Sequence, residues 1–256
     1  MRGLIINNSI FFKMTISVKT LNTDQKLFLV GIQHTSDPDD TQFGTIDTIF
    51  TDFLKSKEKK IAILEGNAIP ERLITNNREE VISSLGERGY MIKILNDKKI
   101  PYVFSDSTIL DEYNYLIKKF SKESVSYYLF IRTLGGLLRK RKDGNFDEIL
   151  IYTANSLNSE ISEINLTKEK ILDMHEKFSS QELTKKNFNE IIKSTYPDKR
   201  RKNIINKVAC DSSSFRDNSL LEKIKETLFK KRINIFVLFG EHHIKMISSA
   251  LNLPRH

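Results

Sequence analysis

A single cysteine, Cys210, is all the thiol chemistry this chain contains. One cysteine forms no intramolecular disulfide and excludes a multi-cysteine zinc site, and it suits a reducing compartment. Tryptophan is absent while phenylalanine occurs 16 times, so the aromatic part of the core rests on Phe packed with Ile and Leu. No apolar run approaches the roughly 18–20 residues that a membrane span needs. The N-terminal stretch is apolar in two short pieces split by Asn7-Asn8-Ser9, not in the unbroken core of about 7–15 residues of a secretory signal. Met14 is an alternative start, which makes residues 1–13 an extension or an edge strand. A cytoplasmic protein with no membrane partner is therefore expected. Two signatures are missing as well. Gly31-Ile-Gln-His34 is not a Gly-rich phosphate loop, and Ser212–Ser214 lacks the Gly-x-Ser-x-Gly setting of a serine nucleophile.

What is present fits a folded globular protein, with 39% hydrophobic and 29% charged residues. The net charge of +8 permits an acidic partner and favours solubility. The basic clusters Arg139–Lys142 and Lys199–Lys202 carry no interleaved aromatics, so they read as solvated helix ends and nucleic acid is not expected as a partner. A small-molecule or peptide substrate is the expected partner, and a homo-oligomer is compatible with the composition.

Along the chain, Leu27–Val30 is a continuous apolar run, as in a strand buried on both faces. After Asp37-Pro38-Asp39-Asp40, apolar residues at 46, 49, 50, 53 and 54 have helical spacing. Ile61–Leu64 is a second strand, which makes a βαβ unit with parallel strands. The pattern repeats through a helix over 78–99, interrupted at Gly86-Glu87-Arg88-Gly89, and a strand over 100–104. Residues 107–210 change character. They are rich in Lys, Glu, Asn and Ser, with helical periods over 113–120, 125–138, 146–157 and 168–178. Asp211–Ser214 reads as a loop, with Phe215-Arg216-Asp217 leading into a helix. A strand over 233–239 and a closing helix follow. The expected fold is α/β, a central, largely parallel or mixed β-sheet flanked by helices, with a helical insertion over 107–210 before the last strand, all in one domain over 1–256.

The four strands read here end in His34, Glu65, Asp106 and His243. Open α/β sheets bind ligands off the carboxyl ends of their strands. If these strands share a direction, all four side chains project from one edge. With ten Gly and five His in 256 residues, about 0.2 Gly-x-x-His matches arise by chance. This chain has two, Gly31–His34 and Gly240–His243, each directly after an apolar strand. Two imidazoles with one or two carboxylates suit a divalent metal such as Mn, Co or Zn, held by His34, Glu65 and His243. They also suit metal-free acid–base work on a water. The bland readings are a core histidine for His34 and His243, a buried ion pair for Glu65, and a helix cap for Asp106. Glu87 and Arg88 sit on a Gly-flanked bend, either in the site or on a solvated surface. Arg216 reads as an anion clamp or as the neighbour of an N-cap at Asp217. His242 reads as a neighbour that fixes a tautomer, and His175 as solvated on a polar helix.

Gly31-Ile-Gln-His34, Leu64-Glu65-Gly66, Arg216-Asp217 and Gly240-Glu-His-His243, with the stretch from Gly86-Glu87 to Asp106, resemble the TraB/Tiki group of the erythromycin-esterase/ChaN-like superfamily. The likeness covers about residues 26–106 and 211–252. It implies a mixed α/β sheet with a helical insertion and a site built on His34, Glu65 and His243. It also implies hydrolysis of a peptide or ester bond, metal-dependent as in Tiki-like members or metal-free as in erythromycin-esterase-like ones. In that reading Glu87 assists proton transfer or orients a histidine, and Arg216 clamps a substrate carboxylate or an oxyanion. The alternative is a non-catalytic protein that sequesters haem, a metal or a pheromone-type peptide at the same edge.

Overall fold

Every apolar strand of this chain is hydrophobic at consecutive positions, so both of its faces must be covered. The computed structural model describes residues 15–20, 25–66, 68–105, 107–140, 144–198, 200–231 and 233–251. Asp106, residues 1–13 with Met14, Arg141 and Lys142 and Lys199 of the basic clusters, and His256 lie outside the described residues. The elements in chain order are β1 (Thr15–Thr20), β2 (Lys26–Ile32), α1 (Gln42–Leu54), β3 (Lys60–Leu64), α2 (Arg78–Asp97), β4 (Tyr102–Phe104), α3 (Ile109–Leu116), α4 (Lys122–Lys140), α5 (Phe146–Glu160), α6 (Lys168–Phe178), α7 (Phe188–Ile191), α8 (Ile204–Lys231), β5 (Asn234–Gly240) and α9 (Glu241–Ala250). Among the described residues no helix is long and apolar enough to cross a membrane. The chain divides into two compact units, one comprising the described residues of Met1–Asp106 and Asp217–His256, the other Ser107–Arg216.

The first unit is an α/β sheet of order β1-β2-β5-β3-β4. β2, β5, β3 and β4 run parallel, in the register Val30↔Leu238 and Leu64↔Leu238. The last strand thus lies between the first two strands read from the sequence, not at an edge. The sheet also has a fifth strand that the sequence reading lacked. β1 pairs antiparallel with β2 from Thr15↔Gly31 to Thr20↔Lys26. Its signal is the short alternation Ile16, Val18 among Thr, Ser and Lys, which is weaker than a continuous apolar run.

Alternate residues of each strand face opposite layers. Phe28, Val30, Ile32, Ala62, Leu64, Phe236 and Leu238 pack with α1 and α2. Leu27, Leu29, Ile61, Ile63, Ile235, Val237 and Phe239 pack with Leu220, Ile224 and Leu228 of α8 and with Ile244 and Ile247 of α9. Each large side chain so buried contributes roughly 1.5–3 kcal/mol. The first layer is knitted by Phe rings: Phe50 meets Phe236 edge-on at 5.3 Å, and Phe28 meets Phe53 at 5.5 Å. Helix α2 is capped by Asn77, whose side chain accepts from the backbone N–H groups of Glu79 and Glu80. It bends sharply at Gly86, where φ is +67° and ψ −158°. A Cβ there would stand 2.9 Å from the carbonyl oxygen of Thr35, so the bend requires glycine on both grounds.

The second unit is helical, with a core that includes Tyr113, Tyr127, Leu129, Phe130 and Leu134. Two sequence expectations are corrected here. Asp211–Ser214 is not a loop but part of α8, and Arg216 and Asp217 lie inside that helix rather than at its start. The serines are helical because their hydroxyls are bonded in place. Ser214 Oγ donates back to the Cys210 carbonyl at 2.9 Å, and Ser212 Oγ is buried and donates to Glu112. Glu112 also receives Arg132 in a two-pronged pair, Nη1 to Oε1 at 2.5 Å and Nη2 to Oε2 at 2.8 Å. Burial pushes the Glu112 carboxyl up, but Arg132 and Ser212 outweigh it and hold the group below its ordinary range.

The other correction concerns His175, which is buried rather than solvated. Its Nε2–H donates to the Gln181 carbonyl at 2.6 Å and its Nδ1 accepts from the Tyr127 hydroxyl at 2.8 Å. Burial lowers its pKa below the ordinary 6.5. The unfolded chain therefore takes up a proton near 6.5 that the folded chain still refuses, so stability is full above that pH and is lost as pH falls below it. Urea unfolding at stepped pH should show wild type losing stability below about pH 6.5 relative to His175→Gln. Parallel curves for the two proteins would refute the buried neutral imidazole.

Candidate functional site

Because β2, β5 and β3 are parallel neighbours, their carboxyl ends lie side by side in the first unit. His34 follows β2, Glu65 follows β3, and Gly240 ends β5 and begins α9, with His243 on the first turn of that helix. Glu87 comes from the bend in α2, and Asp217 from α8.

Glu65 stands at the centre. Its backbone N–H donates to the Leu238 carbonyl at 3.1 Å, which extends the β3–β5 ladder by one bond. Its carboxylate Oε2 accepts from the Gly240 N–H at 2.6 Å. The two histidines flank it. His34 Nε2 is 3.9 Å from Oε2, and His243 Nε2 is 3.8 Å from Oε1. Behind each imidazole is another carboxylate. His34 Nδ1 donates to Glu87 Oε1 at 2.5 Å, and His243 Nδ1 donates to Asp217 Oδ1 at 2.5 Å. Glu87 is itself fixed by the Thr35 N–H, which donates to its Oε2 at 3.2 Å.

The two carboxylates set the chemistry of the rings. A carboxylate accepts, so each Nδ1 must carry the proton, and each Nε2 presents a lone pair toward Glu65. Two lone pairs and a carboxylate are all acceptors, and at 3.8–3.9 Å they do not bond one another. Such a convergence suits a cation, or a water that donates to two of them. All three gather beside Gly240: a Cβ there would fall 3.4 Å from Glu65 Oε2, 3.5 Å from His34 Nε2 and 3.8 Å from His243 Cδ2, each an ordinary van der Waals contact. The donor set fits a divalent metal. The separations are wider than the roughly 3.4 Å between two ligands of a tetrahedral ion, and among the described residues no three His, Cys, Asp or Glu side chains stand in closed ligand geometry. The two imidazoles differ in access. The His34 side chain is 66% exposed and that of His243 13%.

Of the residues singled out in the sequence, His34, Glu65, Glu87 and His243 meet here. Asp106 lies outside the described residues. Arg216 belongs to the helical unit, where its charge helps lower the Glu112 pKa. Its successor Asp217, read from sequence as a cap, is the residue that holds His243. Successive helical positions point about 100° apart, so a shared dipeptide does not imply a shared target. His242 is exposed, with its ring 6.0 Å from that of His243, and the tautomer is fixed by Asp217 instead. Compared with models of protein families, with curated proteins and with solved structures, the chain matches none.

Nitrogen-15 NMR of the imidazoles tests the arrangement directly. Neutral His34 and His243 should show the Nδ1–H form, whereas a free imidazole carries its proton mainly on Nε2. Glu87→Ala should release His34 and Asp217→Ala should release His243, each without altering the other ring. An Nε2–H signature in the wild-type protein would sink the assignment.

Proposed function

We propose that this chain is a hydrolase of peptide or ester bonds, with His34, Glu65 and His243 as the residues that hold a divalent metal ion of the Zn, Mn or Co type. The reading rests on one observation: two carboxylate-anchored imidazoles turn their Nε2 atoms to opposite oxygens of one glutamate. Ligand histidines in metal sites are held in this way. The resemblance of the Gly-x-x-His, Leu-Glu-Gly and Arg-Asp pieces to the TraB/Tiki group supports the same residues. When bound, the metal would lower the pKa of a water toward neutrality and polarise a carbonyl.

The chain's own residues do the rest. Glu87 and Asp217 keep the protons on Nδ1, so each Nε2 carries a lone pair. Gly240 N–H orients Glu65 and spares it a search among rotamers. His34, the exposed member, faces incoming substrate. A cytoplasmic location is part of the proposal and rests on the lone Cys210.

A second reading is favoured by the separations of 3.8–3.9 Å, which leave room for a water without a metal. There His34 Nε2 takes the proton of a water as it attacks the carbonyl. Glu87 steadies the imidazolium, which then passes the proton to the leaving group.

Elemental analysis of the purified protein, beside hydrolysis of a panel of peptides and esters, decides. The expected result is one transition-metal ion per chain, lost in His34→Ala, with hydrolysis lowered at least 100-fold, roughly the smallest effect expected of removing such a group. Gly240→Ala should do the same without unfolding, because φ is an ordinary −52° and the added methyl lies at ordinary contact distance from the three side chains, where it crowds the atoms that would hold the ion. Hydrolysis that survives chelation but fails in His34→Ala selects the metal-free reading. Hydrolysis unchanged in both variants removes the site.

A further inference from the structure

The bend at Gly86 delivers two residues, and only Glu87 has been given a role. Its neighbour Arg88 is half-buried. Its guanidinium lies against the backbone of Gly66, the residue after Glu65. A Cβ on Gly66 would collide with Nη1 and stand 3.1 Å from Cζ, and Gly66 has φ +89°. The positive φ favours glycine there, and the arginine as placed lies over the bare Cα. Among the described residues Arg88 makes no ion pair and no hydrogen bond. That contrasts with the carboxylates around it. Glu87 is bound to His34, Asp217 to His243, and Glu65 to the Gly240 N–H.

We infer that Arg88 is the specificity residue of this site and binds a free carboxylate of the substrate, the α-carboxylate of a peptide cleaved close to its C-terminus. The inference rests on the hydrolase reading above. A guanidinium presents paired N–H donors that match a carboxylate in plane, and it keeps its charge at any working pH. A phosphate dianion has the same geometry but suits the place less well, because Glu65, Glu87 and Asp217 already supply three carboxylates beside a single arginine. One extra negative charge is balanced by Arg88, and a second would meet only repulsion. The position one residue beyond Glu65 puts the anion next to the reacting bond, so the segment lost would be one or two residues long.

The test uses a series of N-acetylated di- and tripeptides, each as the free acid and as the C-terminal amide. Equilibrium binding by calorimetry and kcat/KM for cleavage are measured on wild type, Arg88→Lys and Arg88→Met. Wild type should prefer the acid roughly 10- to 100-fold in both readouts, the range of a charge-assisted pair of hydrogen bonds. Arg88→Met should bring the acid-to-amide ratio to about one, and Arg88→Lys should keep part of the preference without the planar fork. An acid preference that survives Arg88→Met, or none in wild type, overturns the inference, and so does failure of wild type to bind either peptide. The two readings separate cleanly. Cleavage without acid preference keeps the hydrolase and discards the clamp. Acid binding that depends on Arg88, with no cleavage of any peptide, keeps the clamp and discards peptide hydrolysis.

Discussion

One hydrogen bond holds the site together: the Gly240 N–H to the Glu65 carboxylate at 2.6 Å. It joins the tip of β5 to the tip of β3 just beyond the last rung of their ladder. Its length depends on the register that pairs Leu64 with Leu238. The same β5 pairs with β2 so that Ile32 lies opposite Gly240, which brings the turn carrying His34 to the same level. A slip of one residue in either ladder would turn every strand side chain to the opposite layer. The apolar packing of both faces is therefore what fixes the heights of His34, Glu65 and His243. The central position of β5 matters equally. From there Gly240 and the first turn of α9 stand between the tips of β2 and β3.

Once the tips are aligned, the remaining problem is electrostatic. Three carboxylates cluster at one edge of a sheet whose central strands are largely apolar, and charge so placed loses much of its hydration. Among the described residues the chain meets this with N–H donors. Glu65 takes a backbone N–H, Glu87 takes a backbone N–H and an imidazole N–H, and Asp217 takes the other imidazole N–H. Neutral donors leave the net negative charge of the group in place. A site neutralised by lysines would hold neither a cation nor a proton tightly. This one retains its attraction for both.

The sequence reveals the strands and their tips because both obey a strong local rule. A strand buried on both faces is a continuous apolar run, and the residue at which the run breaks is the one that meets the ligand edge. His34, Glu65 and His243 were legible for that reason, and the bend at 86–89 was legible from its two glycines. What was illegible has no local rule. Asp217 sits in mid-helix, and nothing in the periodicity of α8 says that one of its polar positions faces His243. The loop expected at Asp211–Ser214 came from serine's usual preference for turns. That preference was overridden by Glu112, which is 100 residues from Ser212 in sequence and a hydrogen bond away in space. His175 misleads in the same way, since a polar helix around it reads as solvated until Tyr127 and Gln181 are seen to take both ring nitrogens.

The two polar clusters of this protein differ in how their donors and acceptors are matched. In the helical unit, Glu112 has a donor on each oxygen. Arg132 spans both, Ser212 adds to one, and Arg132 also donates to Ser212 at 3.1 Å, while the Tyr128 hydroxyl donates to Ser212 at 2.8 Å. Donors and acceptors answer each other, and the carboxyl is driven further into its charged form. Such a network specifies packing and has nothing left to bind. Around Glu65 the sense is reversed. The donors seen among the described residues lie behind the imidazoles or on the backbone side of the glutamate, and the His34 and His243 Nε2 atoms and the Glu65 oxygens turned toward one another are acceptors. A fold gains no stability from aiming like poles at a common point, and it does so twice, with two separate carboxylates enforcing the same tautomer. An ion or a proton held among these acceptors would make such an arrangement intelligible.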